Sequence, residues 1–271
     1  MRSYSNTEDT IMKQTIAFFL TALLLIGAAF GCTAQAAQTE VTDSDTIQSN
    51  GKLIVGITEF APMDYRDEAG NWIGFDADLS KAFAESLGVT AEFVVIDWDS
   101  KTMELDAGNI DCVWNGMTLT DGVKAAMETS KPYCGNAQVI VVSKDAADGF
   151  DASSTVFAVE AGSAGEEIAL ENEWQAVSVQ AQADALLEVA AGTSGACIID
   201  QLMAGAMIGA GTSYENLVSI QALNEEQYGV GFRKGSDLAA MLDTFLDGMF
   251  ADGSLAALAK TYGIDAALIA R

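Results

Sequence analysis

Polar residues with the spacing to do chemistry fall at three points in the sequence. Gly162-Ser163-Ala164-Gly165-Glu166 reads as a glycine turn opening a helix, with Ser163 and Glu166 at capping-box spacing. The first N–H groups of a helix lack intrahelical acceptors, so such a turn can hold an anion, although a plain capped helix has the same signature. The second point is Asn115-Gly116 and the third is Asp200, and the segments leading to them echo one another. Gly108 to Gly116 and Gly192 to Asp200 each run from a turn glycine through an apolar strand to a polar or small residue. In open α/β sheets ligands sit beyond the carboxyl ends of the strands, so the two points face one another across a cleft if they lie in different halves. Asp200 equally suits the N-cap of the helix begun by QLMAGAMI.

Other chemistry is poorly supplied. The chain contains no histidine, which removes the usual general base and the commonest metal ligand. Cys112 and Cys197 sit in the apolar runs IDCVW and GACIID, where a small buried thiol is the plain reading. With Cys134 they match no zinc spacing, and no metal or cofactor is called for. A net charge of −26, from 13 basic and 39 acidic residues, repels phosphate backbones and argues against nucleic-acid binding. With 50% hydrophobic residues, the 271-residue chain can build one large or two modest domains.

Strands and helices that would position these points alternate from Gly51 onward. LIVGIT (53–58), AEFVVID (91–97), DCVWNG (111–116) and AQVIVVS (137–143) read as strands. TVFAVE (155–160), VSVQ (177–180), CIID (197–200), LVSI (217–220) and YGVGF (228–232) continue the series. Phe75, Leu79, Phe83 and Leu87 recur at helical spacing, and Gly88 is placed to end that helix. The alternation predicts an α/β protein with mainly parallel sheets flanked by helices.

The N-terminus reads as a targeting segment, residues 1–32. A basic start at Met12-Lys13 precedes the apolar run Ile16 to Phe30, short for a membrane span. Two processing readings follow. Ala29-Phe30-Gly31-Cys32 resembles a lipobox, with Cys32 the lipid-bearing residue, whereas Ala34-Gln35-Ala36 suits an ordinary signal peptidase. Either implies export, to the periplasm or the outer face of the cytoplasmic membrane. Residues 33–50, rich in Thr, Gln, Ser and Asp, are expected to form a flexible tether.

The block from Asn115 through Gly116-Met117-Thr118-Leu119-Thr120 to Ser130, Pro132 and Tyr133 resembles the amino-acid-binding, cluster 3 solute-binding proteins of ABC importers. GKLIVGI (51–57), Ala61-Pro62-Met63, Gly74 to Leu79, Trp98-Asp99, VEAGSAGEE (159–167) and YGVGFRKG (228–235) extend the resemblance in order and spacing. It implies the periplasmic-binding-protein type II fold: two α/β lobes joined by two hinge strands, near 136–143 and 227–233. Lobe 1 is then expected at 51–138 plus 230–271, and lobe 2 at 139–229.

The resemblance also implies a site. Asp200 is expected to take a ligand ammonium with the Gly116 carbonyl and the Thr118 hydroxyl. A carboxylate is expected on the N–H groups of Thr118, Ser163 and Ala164, with Gly165 allowing close approach. Phe60 corresponds to the aromatic over the ligand's aliphatic part, and Trp98, Asn115 and Met117 complete the contacts. At the position where relatives carry an arginine for the carboxylate, this chain has Val123. Three accounts stand open: the helix start suffices alone, Lys124 or Arg66 substitutes, or the ligand lacks an α-carboxylate.

The function implied is an extracytoplasmic substrate-binding subunit that delivers a small polar solute, an amino acid or related amine or amide, to a permease and its ATPase. No catalytic residue is expected. A ligand-sensing protein for a receptor and a cyclohexadienyl-dehydratase-like enzyme are the alternatives on the same fold.

Overall fold

A computed structural model describes residues 41–270 of the chain. The first described element is a helix, α1 (Asp43–Asn50), so the last eight residues of the expected tether are ordered instead. Thr42 and Asp45 form a reciprocal capping box, and Ile47 is fully buried. Arg233 reaches Asp43 at 3.1 Å, and Asp237 accepts from the Ser44 N–H at 3.1 Å. These anchors lie some 190 residues away in sequence, so local composition gave no sign of them. The targeting segment and Cys32 lie outside the described residues. Among the described residues no helix is long and apolar enough to cross a membrane.

The chain then builds β1 (Lys52–Ile57), the small hairpin β2 (Tyr65–Arg66) and β3 (Trp72–Ile73), α2 (Phe75–Ser86) and β4 (Thr90–Val95). Next come α3 (Lys101–Asp106), β5 (Cys112–Thr118), α4 (Asp121–Ala126), β6 (Glu128–Thr129) and β7 (Cys134–Asn136). On α2, Phe75, Leu79 and Phe83 fall on one face four residues apart and are fully buried, as the periodicity requires. A crossing at Ala137 leads into β8 (Gln138–Ser143), β9 (Val156–Glu160), α5 (Ala164–Glu171), β10 (Gln175–Val179), α6 (Gln182–Ala191), β11 (Ala196–Asp200), α7 (Gln201–Met207) and β12 (Leu217–Ala222). The return crossing at 223–225 leads to β13 (Glu226–Phe232), α8 (Leu238–Asp252) and α9 (Ser254–Thr261).

Two sheets result. One has strand order β4-β1-β5-β13-β6, with β7 also on β13; the other runs β10-β9-β11-β8-β12. Strands β1, β4 and β5 are mutually parallel, as are β9, β10 and β11. The strands next to the crossings, β13 and β8, enter their sheets antiparallel to β5 and β11. That arrangement brings the carboxyl ends of β5 and β11 to the crossings from opposite halves.

Candidate functional site

Beyond the carboxyl ends of β1, β5, β9 and β11 lies a cavity of about 150 Å³ walled by both halves. Phe60, Trp98, Asn115, Gly116, Met117 and Thr118 line it from one side; Ser163, Ala164 and Asp200 line it from the other. Gly165 does not. A Cβ at Gly165 would lie 3.0 Å from the Ile198 carbonyl oxygen, so its smallness serves the packing of α5 on β11. Thr118, Thr120, Ala164 and Glu167 also border an adjoining groove of about 950 Å³.

Gly116 is fixed by sterics and hydrogen bonding together. Its φ is +56°, and a Cβ there would collide with the Phe60 ring. Its N–H donates to Asp76 Oδ2 at 2.6 Å, and Asp76 also accepts from the Tyr133 hydroxyl at 2.7 Å. Burial pushes the Asp76 pKa up to about 7 despite these bonds. With the N–H occupied, a ligand can meet the Gly116 backbone only through its carbonyl. The Asn115 side chain is also committed: it accepts from the Thr58 N–H at 3.0 Å and donates to the Thr58 hydroxyl at 2.8 Å. It ties β5 to the end of β1.

Asp200 is at the N-cap position of α7, yet its side chain makes no capping bond. It turns instead toward the crossings, where Asn136, Gln182 and Tyr228 all donate to its carboxylate. Tyr228 and Asn136 belong to the first sheet and Gln182 to the other half, so this carboxylate joins the two. Burial, then the nearby Glu226, raises the Asp200 pKa to about 7, and its donors oppose the shift. The Thr118 hydroxyl, expected to face a ligand, donates to Glu226 Oε1 at 2.9 Å. Its lone pairs remain as acceptors.

At the helix start, Ser163 Oγ accepts from the Glu166 N–H at 3.1 Å. The Glu166 carboxylate takes the Gly162 N–H at 2.7 Å rather than that of Ser163, which donates to the Glu160 carbonyl at 3.2 Å. The Ser163 N–H is thereby occupied, and the Ala164 N–H is the first without an intrahelical acceptor.

Lys101 and Glu160 escaped the sequence reading. Lys101 lines the cavity, lies 4.8 Å above the Trp98 ring and donates to the Trp98 carbonyl at 3.1 Å. It also crosses to the Gly162 carbonyl at 2.8 Å, while Gln180 crosses back to Asp97 at 2.7 Å. Burial lowers the Lys101 pKa, opposed by Glu160 and Glu167. Glu160 ends β9, is 3% exposed and lines the cavity. A charge closing an apolar parallel strand was the available signal, because that strand end points into the cleft. Gln138, Glu167 and Gln182 complete the polar wall on this side.

Val123 lines the cavity and packs against the apolar cluster to which Trp98 and Met117 belong. The proposed stand-ins do not reach it. Arg66 stacks 4.1 Å over Trp72 and donates to the Gly70 carbonyl, and Lys124 borders the outer groove. Glu59 is an exposed partner of Arg66 at 3.7 Å, and Trp114 is core against Phe83.

Two sheets of mixed strands, flanked by helices, with a cavity between them at their strand ends, define a two-lobed binding protein of the type II periplasmic class. The chain belongs to the bacterial extracellular solute-binding proteins, family 3, whose model matches residues 53–265. The arginine-binding extracellular protein of Bacillus subtilis is 27% identical over 248 residues, 89% of this chain and 96% of that protein. The chain spans about half the length of another relative, a probable histidine-binding protein of Neisseria gonorrhoeae: 37% identity over 125 residues, 44% of this chain and 47% of that one. Among solved structures, a mutant of the arginine-binding protein from T. maritima superposes with a TM-score of 0.75 at 32% identity, covering 81% of this chain and 98% of that one. A cyclohexadienyl dehydratase of Pseudomonas aeruginosa matches more distantly, at 25% over 138 residues, 50% of each chain.

Proposed function

We propose that the protein is the exported substrate-binding subunit of an ABC importer, anchored through Cys32, which binds an amino acid or a related amine-bearing solute between lobes at 51–138 plus 230–271 and 139–229. A permease reads the closed form, and its ATPase supplies the energy. The carrying observation is the cavity where the ends of β5 and β11 meet, with opposite ligand charges catered for on its walls. The ammonium is placed against Asp200, the Gly116 carbonyl and the Thr118 oxygen. The carboxylate is placed against the Ala164 N–H and Lys101, which takes the part of the missing arginine from a different element. Phe60, Trp98 and Met117 supply apolar wall.

A thermal-shift panel of amino acids, amines and amides tests this. A micromolar ligand at millimolar concentration adds about 4 kcal/mol of stability, so a true ligand gives a large rise in Tm. Silence across the panel rejects the reading. The dehydratase relative supplies a specific second reading, since Glu160 beside Lys101 is a buried acid in the cleft. Product formed from prephenate or arogenate would establish it; substrates left unchanged retain the binding role.

A further inference from the structure

We propose that Glu160 is the specificity-determining residue of the cleft, and that its free carboxylate oxygen receives a positively charged nitrogen of the ligand, so that the solute carried is net cationic. The inference rests on the binding role proposed above and specifies its ligand class. Glu160 Oε1 is a buried side-chain atom on the cavity wall that has no hydrogen-bond partner among the described residues. Burying a carboxylate oxygen without a donor is costly, and a glutamine or an apolar residue would serve a merely structural role better.

The charges around the cavity carry the argument to a ligand class. Among the described residues, Glu160, Glu167 and Asp200 line it against a single cation, Lys101. An ammonium has three N–H groups, and Lys101 has given two of them to the Trp98 and Gly162 carbonyls. The third is available to a ligand carboxylate, whose charge then offsets the attraction of Lys101 for Glu160. A zwitterion would set its carboxylate on Lys101 and its ammonium on Asp200, leaving Glu160 uncompensated. A second positive nitrogen, on an amino-acid side chain or a diamine, pairs with Glu160, and the exposed Glu167 is left to solvent. The groups that face Glu160 are Asp200, Lys101, Asp184 and Gln182. Burial, then the Asp200 charge, raises the Glu160 pKa to about 8, with Lys101 opposing. An incoming cation therefore favours the ionised form and displaces a proton from the Glu160 and Asp200 pair near neutral pH.

The test is calorimetry on the full chain and its Glu160→Gln variant, with arginine and lysine, their neutral counterparts citrulline and glutamine, and agmatine. Each titration is run in two buffers of different ionisation enthalpy. We expect arginine or lysine to bind at least tenfold tighter than its neutral counterpart, with proton release near pH 7.5. Glu160→Gln, checked for an unchanged fold by circular dichroism, should lose at least tenfold toward the cation, bind the neutral ligand no more weakly than before and abolish most of the proton release. Equal binding of cationic and neutral ligands, or equal losses for both in the variant, overturns the proposal. If only agmatine binds, and does so through Glu160, the cation site stands and the amino-acid reading falls. If neutral amino acids alone bind, the reverse holds; if nothing binds, both fall.

Discussion

Lys101 Nζ lies 2.8 Å from the carbonyl oxygen of Gly162, and this bond spans the cleft between the two halves of the protein. A half-buried lysine that bridges the two halves and lines the cavity ties their approach to the site. Replacing it with methionine keeps the stem over Trp98 and removes the charge. A charge-assisted bond contributes about 1.5–3 kcal/mol, so Lys101→Met should weaken binding of a carboxylate-bearing ligand roughly tenfold or more. Small-angle scattering should show a more open average shape; unchanged affinity and scattering would remove Lys101 from both roles.

Gly116→Ala tests the packing at the end of β5. The positive φ and the collision with Phe60 should together destabilise the fold by roughly 2 kcal/mol or more. Gly248→Ala on α8 is the matched control. A Cβ there meets no atom within 4 Å, so helix propensity alone should stabilise the protein by about 0.5–1 kcal/mol. Denaturant midpoints of the two variants should move in opposite directions.

Buried acids set a pH dependence whose sign follows from their direction of shift. Asp76 and Asp200 are raised to about 7 and Glu160 to about 8, all by burial first. Between about pH 4 and about pH 8 the native form therefore holds protons that the unfolded chain has lost. Stability from these groups is fully present below the unfolded carboxylate range and is lost as pH rises through 7 to 8. The ligand-free protein should melt at a higher temperature at pH 5 than at pH 8, and Asp200→Asn should flatten the slope. A Tm that climbs over this range would contradict the assignment.

Helix α1 should contribute measurably to the fold. Beginning the chain at Gly51 removes Ile47 from the core and Asp43 from Arg233. Loss of the isoleucine alone is expected to cost about 1.5–3 kcal/mol. Comparing urea midpoints of chains begun at Val41 and at Gly51 measures the difference; identical midpoints would show that α1 docks without stabilising.

The sequence by itself determined most element types from Gly51 onward and much of the cavity wall, while helix α1 stood where a tether was expected. Apolar strands ending at Gly116 and Asp200 and the glycine turn at Gly162 announce strand and helix ends through local rules, and in α/β folds those ends are where ligands gather. Ser163 capping Glu166 was legible for the same reason, because its partners lie within one turn. Tertiary structure decided which groups remain free. Asp200 takes Asn136, Gln182 and Tyr228 on its carboxylate while still lining the cavity, Thr118 turns to Glu226, and Gly165 serves packing, all through partners far away in the chain or on neighbouring strands. Lys101 carries no motif; only the meeting of two halves 61 residues apart brings it to Gly162. Hydrogen-bond occupancy depends on three-dimensional neighbours, and a linear pattern of residue types does not contain it.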